Sequence, residues 1–125
     1  MEFVLASFNR DKLRELSALL GLSGITLTAL CDVPGASAPE ETGATLLENA
    51  RIKVRAALAL TGRPALADDT GLEVDALGGR PGIHAARYAG PDATYEANRR
   101  KLLAELEGVA PERRAARFRC ACVAC

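Results

Sequence analysis

Short apolar segments alternate with amphipathic helical patterns along this chain, and that alternation constrains its fold more than any other feature. An apolar run at 3–6 is followed by Leu13, Leu16 and Leu20 with charged residues between them, which predicts a strand, a tight loop and a helix. Apolar residues alternate with threonines over 25–30, which predicts a second strand. Strands that alternate with helices indicate an α/β layered domain.

The next segments continue the alternation. Residues 32–43 are rich in proline, glycine and acids and predict a loop. Thr45 and Glu48 have the spacing of a capping box, so a helix is expected over about 46–60, ending at Gly62. The apolar residues 65–67 predict a short strand, and the acidic residues that follow predict a polar turn over 68–71.

The C-terminal part of the sequence predicts three further elements. Residues 72–77 alternate as a half-exposed strand that the glycine-rich segment 78–82 ends. Pro91 opens a charged helix that is expected to run to about Glu107, and residues 117–125 predict a final strand.

Size and charge exclude several classes of protein. A chain of 125 residues with 49% hydrophobic residues suits one domain over 1–125 with its own core. The formal net charge is zero, which argues against nucleic acid or an anionic membrane as a partner. No apolar run approaches the ~20 residues that a transmembrane helix needs. The N-terminus lacks the pattern of a secretory signal, so we expect a cytoplasmic protein.

Three of the four cysteines, Cys120, Cys122 and Cys125, crowd the last six residues. This is not a disulfide framework, and no histidine or second cysteine pair completes a four-ligand metal set. We therefore expect reduced thiols on a buried apolar strand.

The segment 7–12, Ser-Phe-Asn-Arg-Asp-Lys, lies where the first strand turns into the first helix. A helix N-terminus binds phosphate readily, and Lys12 would add a mobile charge. The alternative is that Asn9 is only a helix cap and Lys12 a solvated side chain. The chain has thirteen arginines and three lysines, so lysines such as Lys12 and Lys53 stand out.

Two acidic segments are candidates for a metal site. Asp68 and Asp69 follow a buried strand, where two adjacent carboxylates are costly unless a cation meets them. Their hard oxygen ligands beside a phosphate site indicate Mg²⁺, although an aspartate that caps a turn remains an alternative. Taken alone, the two glutamates at 40–41 would be expected on the solvated surface. We expect the single histidine, His84, to be structural or at the surface rather than catalytic.

Five motifs in order carry a resemblance that covers essentially the whole chain. They are Ser7-x-Asn9-x-x-Lys12, Glu-Glu-Thr-Gly at 40–43, Glu48-Asn49-Ala50-x-x-Lys53, Ala-Asp-Asp-Thr-Gly-Leu-Glu-Val-Asp-Ala-Leu at 67–77 and Gly-Arg-Pro-Gly-Ile-His-Ala-Ala-Arg-Tyr-Ala-Gly at 79–90. Together they resemble the inosine/xanthosine triphosphate pyrophosphatase family.

The resemblance implies a mixed central sheet flanked by helices, and an Mg²⁺-dependent homodimer. Such an enzyme hydrolyses deaminated purine nucleoside triphosphates (ITP, dITP and XTP) to the monophosphate and pyrophosphate. Asp69 would be metal ligand and proton acceptor, Glu40 would complete the metal site, and Glu41 and Asp68 are the near alternatives. The implied substrate-binding residues are Ser7, Phe8, Asn9, Arg10, Asp11, Lys12, Lys53 and Thr70.

The sequence departs from the family pattern at three places. Phe8 stands where the family mostly has a small residue, and Thr70 stands where it usually has serine. The family also continues through a Gly-Phe-Gly-Tyr-Asp-Pro motif and a Ser-His-Arg motif that recognise the base. We therefore expect a domain that is incomplete at its C-terminus, with weak or no activity in the 125-residue chain.

Two other functions remain open from the sequence. One is a pyrophosphatase similar to Maf proteins, which act on pyrimidine or modified nucleotides, although the Asp-Asp-Thr-Gly-Leu block argues against it. The other is a non-catalytic remnant that binds nucleotide or a partner chain.

Overall fold

The computed structural model describes all residues 1–125 and has a mixed sheet with three α-helices. The strands are β1 (Glu2–Leu5), β2 (Thr26–Ala29), β3 (Ala65–Val74), β4 (Pro81–Gly82) and β5 (Ala116–Ala124), and the helices are α1 (Arg10–Gly21), α2 (Leu46–Thr61) and α3 (Tyr95–Glu105). The predicted α/β class with a mixed sheet and flanking helices is confirmed. The chain divides into two compact units, 1–69 with 121–125 and 70–120, and the single domain stays a prediction.

In the first unit, β1 is the central strand of a parallel group. It pairs with β2 from Glu2 opposite Thr26 onward, and with β3 through Leu5 opposite Leu66. The amide of Ala6 extends this pairing by donating to the carbonyl of Leu66 at 2.8 Å. Because the strands are parallel, the segments that follow Leu5 and Leu66 emerge at the same edge of the sheet.

The core of the first unit is made of small and branched apolar side chains. Val4, Ala65 and Ala67 from the strands pack in one cluster with Val54 and Ala57 of α2. This packing fixes α2 against the sheet, so that residues one turn before Val54 are also buried.

Side-chain caps begin both helices of this unit, as the sequence predicts. The side chain of Asn9 accepts hydrogen bonds from two amides of the first turn of α1. The hydroxyl of Thr45 accepts from the amide of Glu48, and α2 ends at Gly62 in the left-handed conformation with φ 64°. The Glu48 carboxylate reaches the amide of Ala44, one residue before the cap, at 2.6 Å.

The polar turn predicted at 68–71 is wrong, because β3 is one continuous strand of ten residues. Asp68 and Asp69 are buried within it. A strand accommodates two adjacent acids only if each finds a partner. The predicted strand over 72–77 is therefore the second half of β3, which gives way to a 3-10 turn at Asp75–Leu77.

In the second unit, one helix begins later than predicted, and one short strand forms that the sequence does not predict. Helix α3 begins at Tyr95 instead of near Pro91, because the Thr94 hydroxyl caps it by accepting from the amide of Ala97. Short β4 pairs antiparallel with β3 through Leu72 opposite Gly82. His84 is exposed, in agreement with a surface position.

The burial predicted for the C-terminal cysteines is wrong. Cys120, Cys122 and Cys125 are exposed, and Cys31 is half-buried. Strand β5 pairs with β3. Most of its side chains are exposed, and only two of its residues are half-buried. None of the helices combines the length and the apolar character that crossing a bilayer would require.

Candidate active site

The site is built around Asp68 and Asp69, whose exposures are only 7% and 8%. Each carboxylate meets a lysine from a different helix. Lys12 of α1 lies 2.8 Å from Asp68 Oδ2, and Lys53 of α2 donates to Asp69 Oδ1 at 2.9 Å. The structure thus brings together four residues that the sequence singles out in three separate motifs.

The strand geometry explains why two adjacent acids reach two different helices. Successive side chains of a strand point to opposite faces of the sheet. The chain leaves β1 toward β2 through α1 and returns past β1 to β3 through α2. Right-handed crossovers in opposite directions place their helices on opposite faces, so Asp68 faces α1 and Asp69 faces α2.

Lys53 contacts several acceptors at once. Besides Asp69, its ammonium donates a short hydrogen bond to the carbonyl of Asp68 and lies 3.9 Å from Glu41 Oε2. The side chains of Lys53 and Asp69 are 13% and 11% exposed, so this pair is largely removed from water. A compact ammonium with three donors suits such a crowded position better than a planar guanidinium.

The second carboxylate oxygen of Asp69 is the main chemical signal in the site. Asp69 Oδ2 is buried and has no hydrogen-bond partner, which is costly for a carboxylate. A carboxylate oxygen is the hard donor that a divalent cation prefers, and Glu41, whose Oε2 lies 3.9 Å from the Lys53 ammonium, offers a second carboxylate. No three histidine, cysteine or acidic side chains are gathered as a metal-binding group, so the residues fit such a cation in donor chemistry rather than as a closed cage.

Of the two acids in the loop before α2, the structure brings Glu41 to Lys53. Glu40 is exposed. The family resemblance assigns Glu40 to the metal and keeps Glu41 as the near alternative, and Glu41 is the acid that lies near Lys53 in the structure.

The loop between β1 and α1 is ordered by its own side chains. Ser7 Oγ accepts from the amide of Asn9, and Asn9 Oδ1 accepts from the amides of Asp11 and Lys12 at 2.9 and 3.3 Å. Arg10 pairs with Asp32, and Asp11 pairs with an arginine of the next turn. Lys12, in the first turn of α1, is thus the side chain next to this loop that reaches the buried acids.

The remaining predicted site residues lie at less informative positions. Phe8 is an exposed aromatic side chain in the loop before α1. Thr70 follows Asp69 in β3 and is half-buried.

Gly43 and Asn49 make contacts that the sequence does not assign, and Gly43 belongs to the acidic loop, the segment 40–43 that carries Glu40 and Glu41. Asn49, which the sequence analysis names only as part of the motif that includes Lys53, is fully buried and accepts a hydrogen bond from the amide of Gly43 at 2.7 Å. The signal for it is an amide side chain at a core-facing helical position one turn before Lys53.

The model of the Ham1 family matches residues 3–125. The chain belongs to the Ham1 family. It is 54% identical over 123 residues to the dITP/XTP pyrophosphatase of Thioalkalivibrio sulfidiphilus, covering 98% of this chain and 62% of that protein. The dITP/XTP pyrophosphatase of Geobacillus kaustophilus is 52% identical over 120 residues, with 96% and 59% covered.

A solved structure gives the same result for the fold of this Ham1-family chain. The HAM1 protein from Coxiella burnetii superposes with a TM-score of 0.84 at 42% identity, covering 99% of this chain and 62% of that one. The chain therefore spans about three-fifths of the length of the relatives it matches.

Proposed function

We propose that the protein carrying this chain hydrolyses deaminated purine nucleoside triphosphates, such as ITP, dITP and XTP, to the monophosphate and pyrophosphate. The proposal rests on the surroundings of the Asp69 carboxylate. One of its oxygens accepts a hydrogen bond from Lys53, and the other is buried without a hydrogen-bond partner. Two of the relatives are named dITP/XTP pyrophosphatases, which supports the substrate class.

The reaction needs a nucleophile and a means to neutralise the triphosphate. Asp69 accepts the proton of a water molecule whose oxygen forms the new bond to phosphorus, while the bond between the α-phosphoryl group and pyrophosphate breaks. A carboxylate that acts as general base must lie within hydrogen-bond reach of that water, and Asp69 Oδ2 is the oxygen left for this role.

The positively charged groups of the site are proposed to bind the phosphates of the substrate. The N-terminus of α1, capped by Asn9, and the ammonium groups of Lys12 and Lys53 supply positive charge on both sides of the acids. Ser7, Phe8, Arg10, Asp11 and Thr70 are proposed to line the nucleotide around them.

Asp69 and Glu41, with Glu40 and Asp68 as alternatives, would hold Mg²⁺. When bound, this ion neutralises phosphate oxygens and polarises the phosphoryl group.

The product and the base preference test this function. With Mg²⁺ present, the protein carrying this chain should release pyrophosphate from ITP and XTP faster than from ATP or GTP, because the proposed substrates are deaminated purines. Orthophosphate as the first product would contradict the proposal. Faster release from uridine or thymidine triphosphate would favour a Maf-like enzyme, and calorimetric binding of ITP without turnover would favour a non-catalytic binding protein.

The assembly and the cellular setting are also proposals. We propose a homodimer, which the family resemblance implies, and a cytoplasmic setting, and the net charge of zero supports the absence of nucleic acid and membrane partners. Sedimentation equilibrium measures the assembly, and a monomer at micromolar concentration would contradict it.

A further inference from the structure

Asn49 occupies a position where a protein normally places an apolar side chain. It lies on α2 among the buried residues Ala50, Val54 and Ala57, and its own exposure is 0%. Its Nδ2 group has no hydrogen-bond partner, so the core does not satisfy all the hydrogen-bonding groups of the Asn49 amide. A fully buried side chain that leaves a donor unpaired costs stability, which calls for a compensating role.

The bond that Asn49 does make leads to the acidic loop. Its Oδ1 accepts from the amide of Gly43 at 2.7 Å, six residues earlier in the chain. Gly43 packs so closely that a Cβ there would lie 2.6 Å from Asn49 Oδ1 and 2.7 Å from Glu48 Cβ. Glycine is therefore required at 43 by space, because any side chain would push the loop away from α2.

This contact fixes the backbone two residues after Glu41. Asn49 and Lys53 lie one helical turn apart on the same face, and Lys53 holds Glu41 Oε2 at 3.9 Å and Asp69 Oδ1 at 2.9 Å. The same helix face thus anchors the loop at one turn and gathers its carboxylate at the next.

We propose that Asn49 is a positioning residue that holds the acidic loop so that the Glu41 carboxylate stays beside Lys53 and Asp69. It thereby sets the affinity of the two carboxylates for a divalent cation. This inference rests on the proposed function for the identity of the cation site, but not for the loop contact itself.

The test compares Asn49→Leu with Val54→Ala. Leucine has the same branched skeleton as asparagine but cannot accept the hydrogen bond, whereas Val54→Ala weakens the packing of the same helix in the core and leaves the bond from Gly43 to Asn49 in place. Mn²⁺ binding, followed by electron paramagnetic resonance without nucleotide, should weaken about tenfold in Asn49→Leu, as expected when a residue that orients a ligand is lost. Val54→Ala should bind within twofold of the wild type.

A second measurement follows the contact directly. Hydrogen exchange at the Gly43 amide should accelerate at least tenfold in Asn49→Leu, relative to Val54→Ala at the same global stability. Gly43→Ala, which displaces the loop from the other side, should weaken Mn²⁺ binding in the same way and serves if Asn49→Leu fails to fold.

A double-mutant cycle with Glu41→Gln completes the test, because loss of Glu41 should remove most of the effect of Asn49→Leu on Mn²⁺ binding. Additive effects, equal weakening by Val54→Ala, or a wild type that binds no Mn²⁺ would each overturn the inference. If the protein binds Mn²⁺ as described but releases no pyrophosphate, the proposed function fails and the role of Asn49 stands.

Discussion

Arg10 and Lys12 lie two residues apart in the first turn of α1, yet they enter ion pairs of different kinds. Arg10 lies 2.6 Å from Asp32, and the two side chains are 64% and 53% exposed. Lys12 lies 2.8 Å from Asp68, with 29% and 8% exposed. The distances are similar, so the difference lies in how much water each pair has lost.

This difference decides what each pair can do. Asp32 raises the pKa of Arg10 through a hydrogen bond and its charge, but arginine is already fully protonated, so the shift changes no function. Water and salt screen the exposed pair. The buried acids depend on their lysines, because a carboxylate removed from water is costly without a partner.

The same difference in exposure is found among the other ion pairs of the chain. Lys53 makes the other buried pair, whereas Arg14 and Arg100 pair with acids on exposed helix surfaces. The third lysine, Lys101, donates to the carbonyl of Tyr88 and lies 4.4 Å from the centre of its ring. Two of the three lysines therefore make largely buried ion pairs, whereas Lys101 and these arginines make their contacts at the surface.

The largest effect on stability is expected at Lys53. Lys53→Met should lower the free energy of unfolding by about 3 kcal/mol, because it leaves the largely buried Asp69 without a cation. Urea unfolding measures the loss. The double variant Lys53→Met with Asp69→Asn should recover part of it, and a single-variant loss no larger than that of a surface substitution would show that the pair is not desolvated as described.

A smaller effect is expected at Lys12. Lys12→Met should cost about 1 to 2 kcal/mol, since Lys12 is more exposed and the backbone of Asp68 remains bonded to Lys53. The same urea titration checks it. A loss greater than that of Lys53→Met would reverse the ranking of the two buried pairs.

The smallest effect is expected at the exposed pair. Arg10→Met should leave the urea midpoint unchanged within error at 0.15 M salt, because both groups stay hydrated in the folded protein. The matched control is Asp32→Asn. A clear destabilisation by either variant that persists in high salt would place this pair with the buried ones.

The helices and the fold class could be predicted from the sequence, because their signals are local. Asn9 and Thr45 are N-cap residues that predict where α1 and α2 begin, and Gly62 predicts where α2 ends. The polar turn at 68–71 was a wrong prediction because local polarity does not reveal partners that lie 15 or 56 residues away in the chain.

The site itself was only partly accessible from the sequence. The scarcity of lysine pointed to Lys12 and Lys53, and the resemblance supplied their roles. Their pairing with Asp68 and Asp69 depends on strand alternation combined with the crossover directions, which need the strand order. Burial of the C-terminal cysteines failed as a prediction because apolar composition does not show whether a strand face is covered.

The most direct test compares one buried and one exposed aspartate in the same assay. Asp69→Asn and Asp32→Asn each remove one negative charge with little change in shape. Pyrophosphate release from ITP should fall about 10³-fold in Asp69→Asn, since the proton acceptor is lost, and should stay near the wild-type rate in Asp32→Asn. Turnover of Asp69→Asn within tenfold of the wild type would contradict the assignment of the buried lysine and aspartate pairs as the catalytic site.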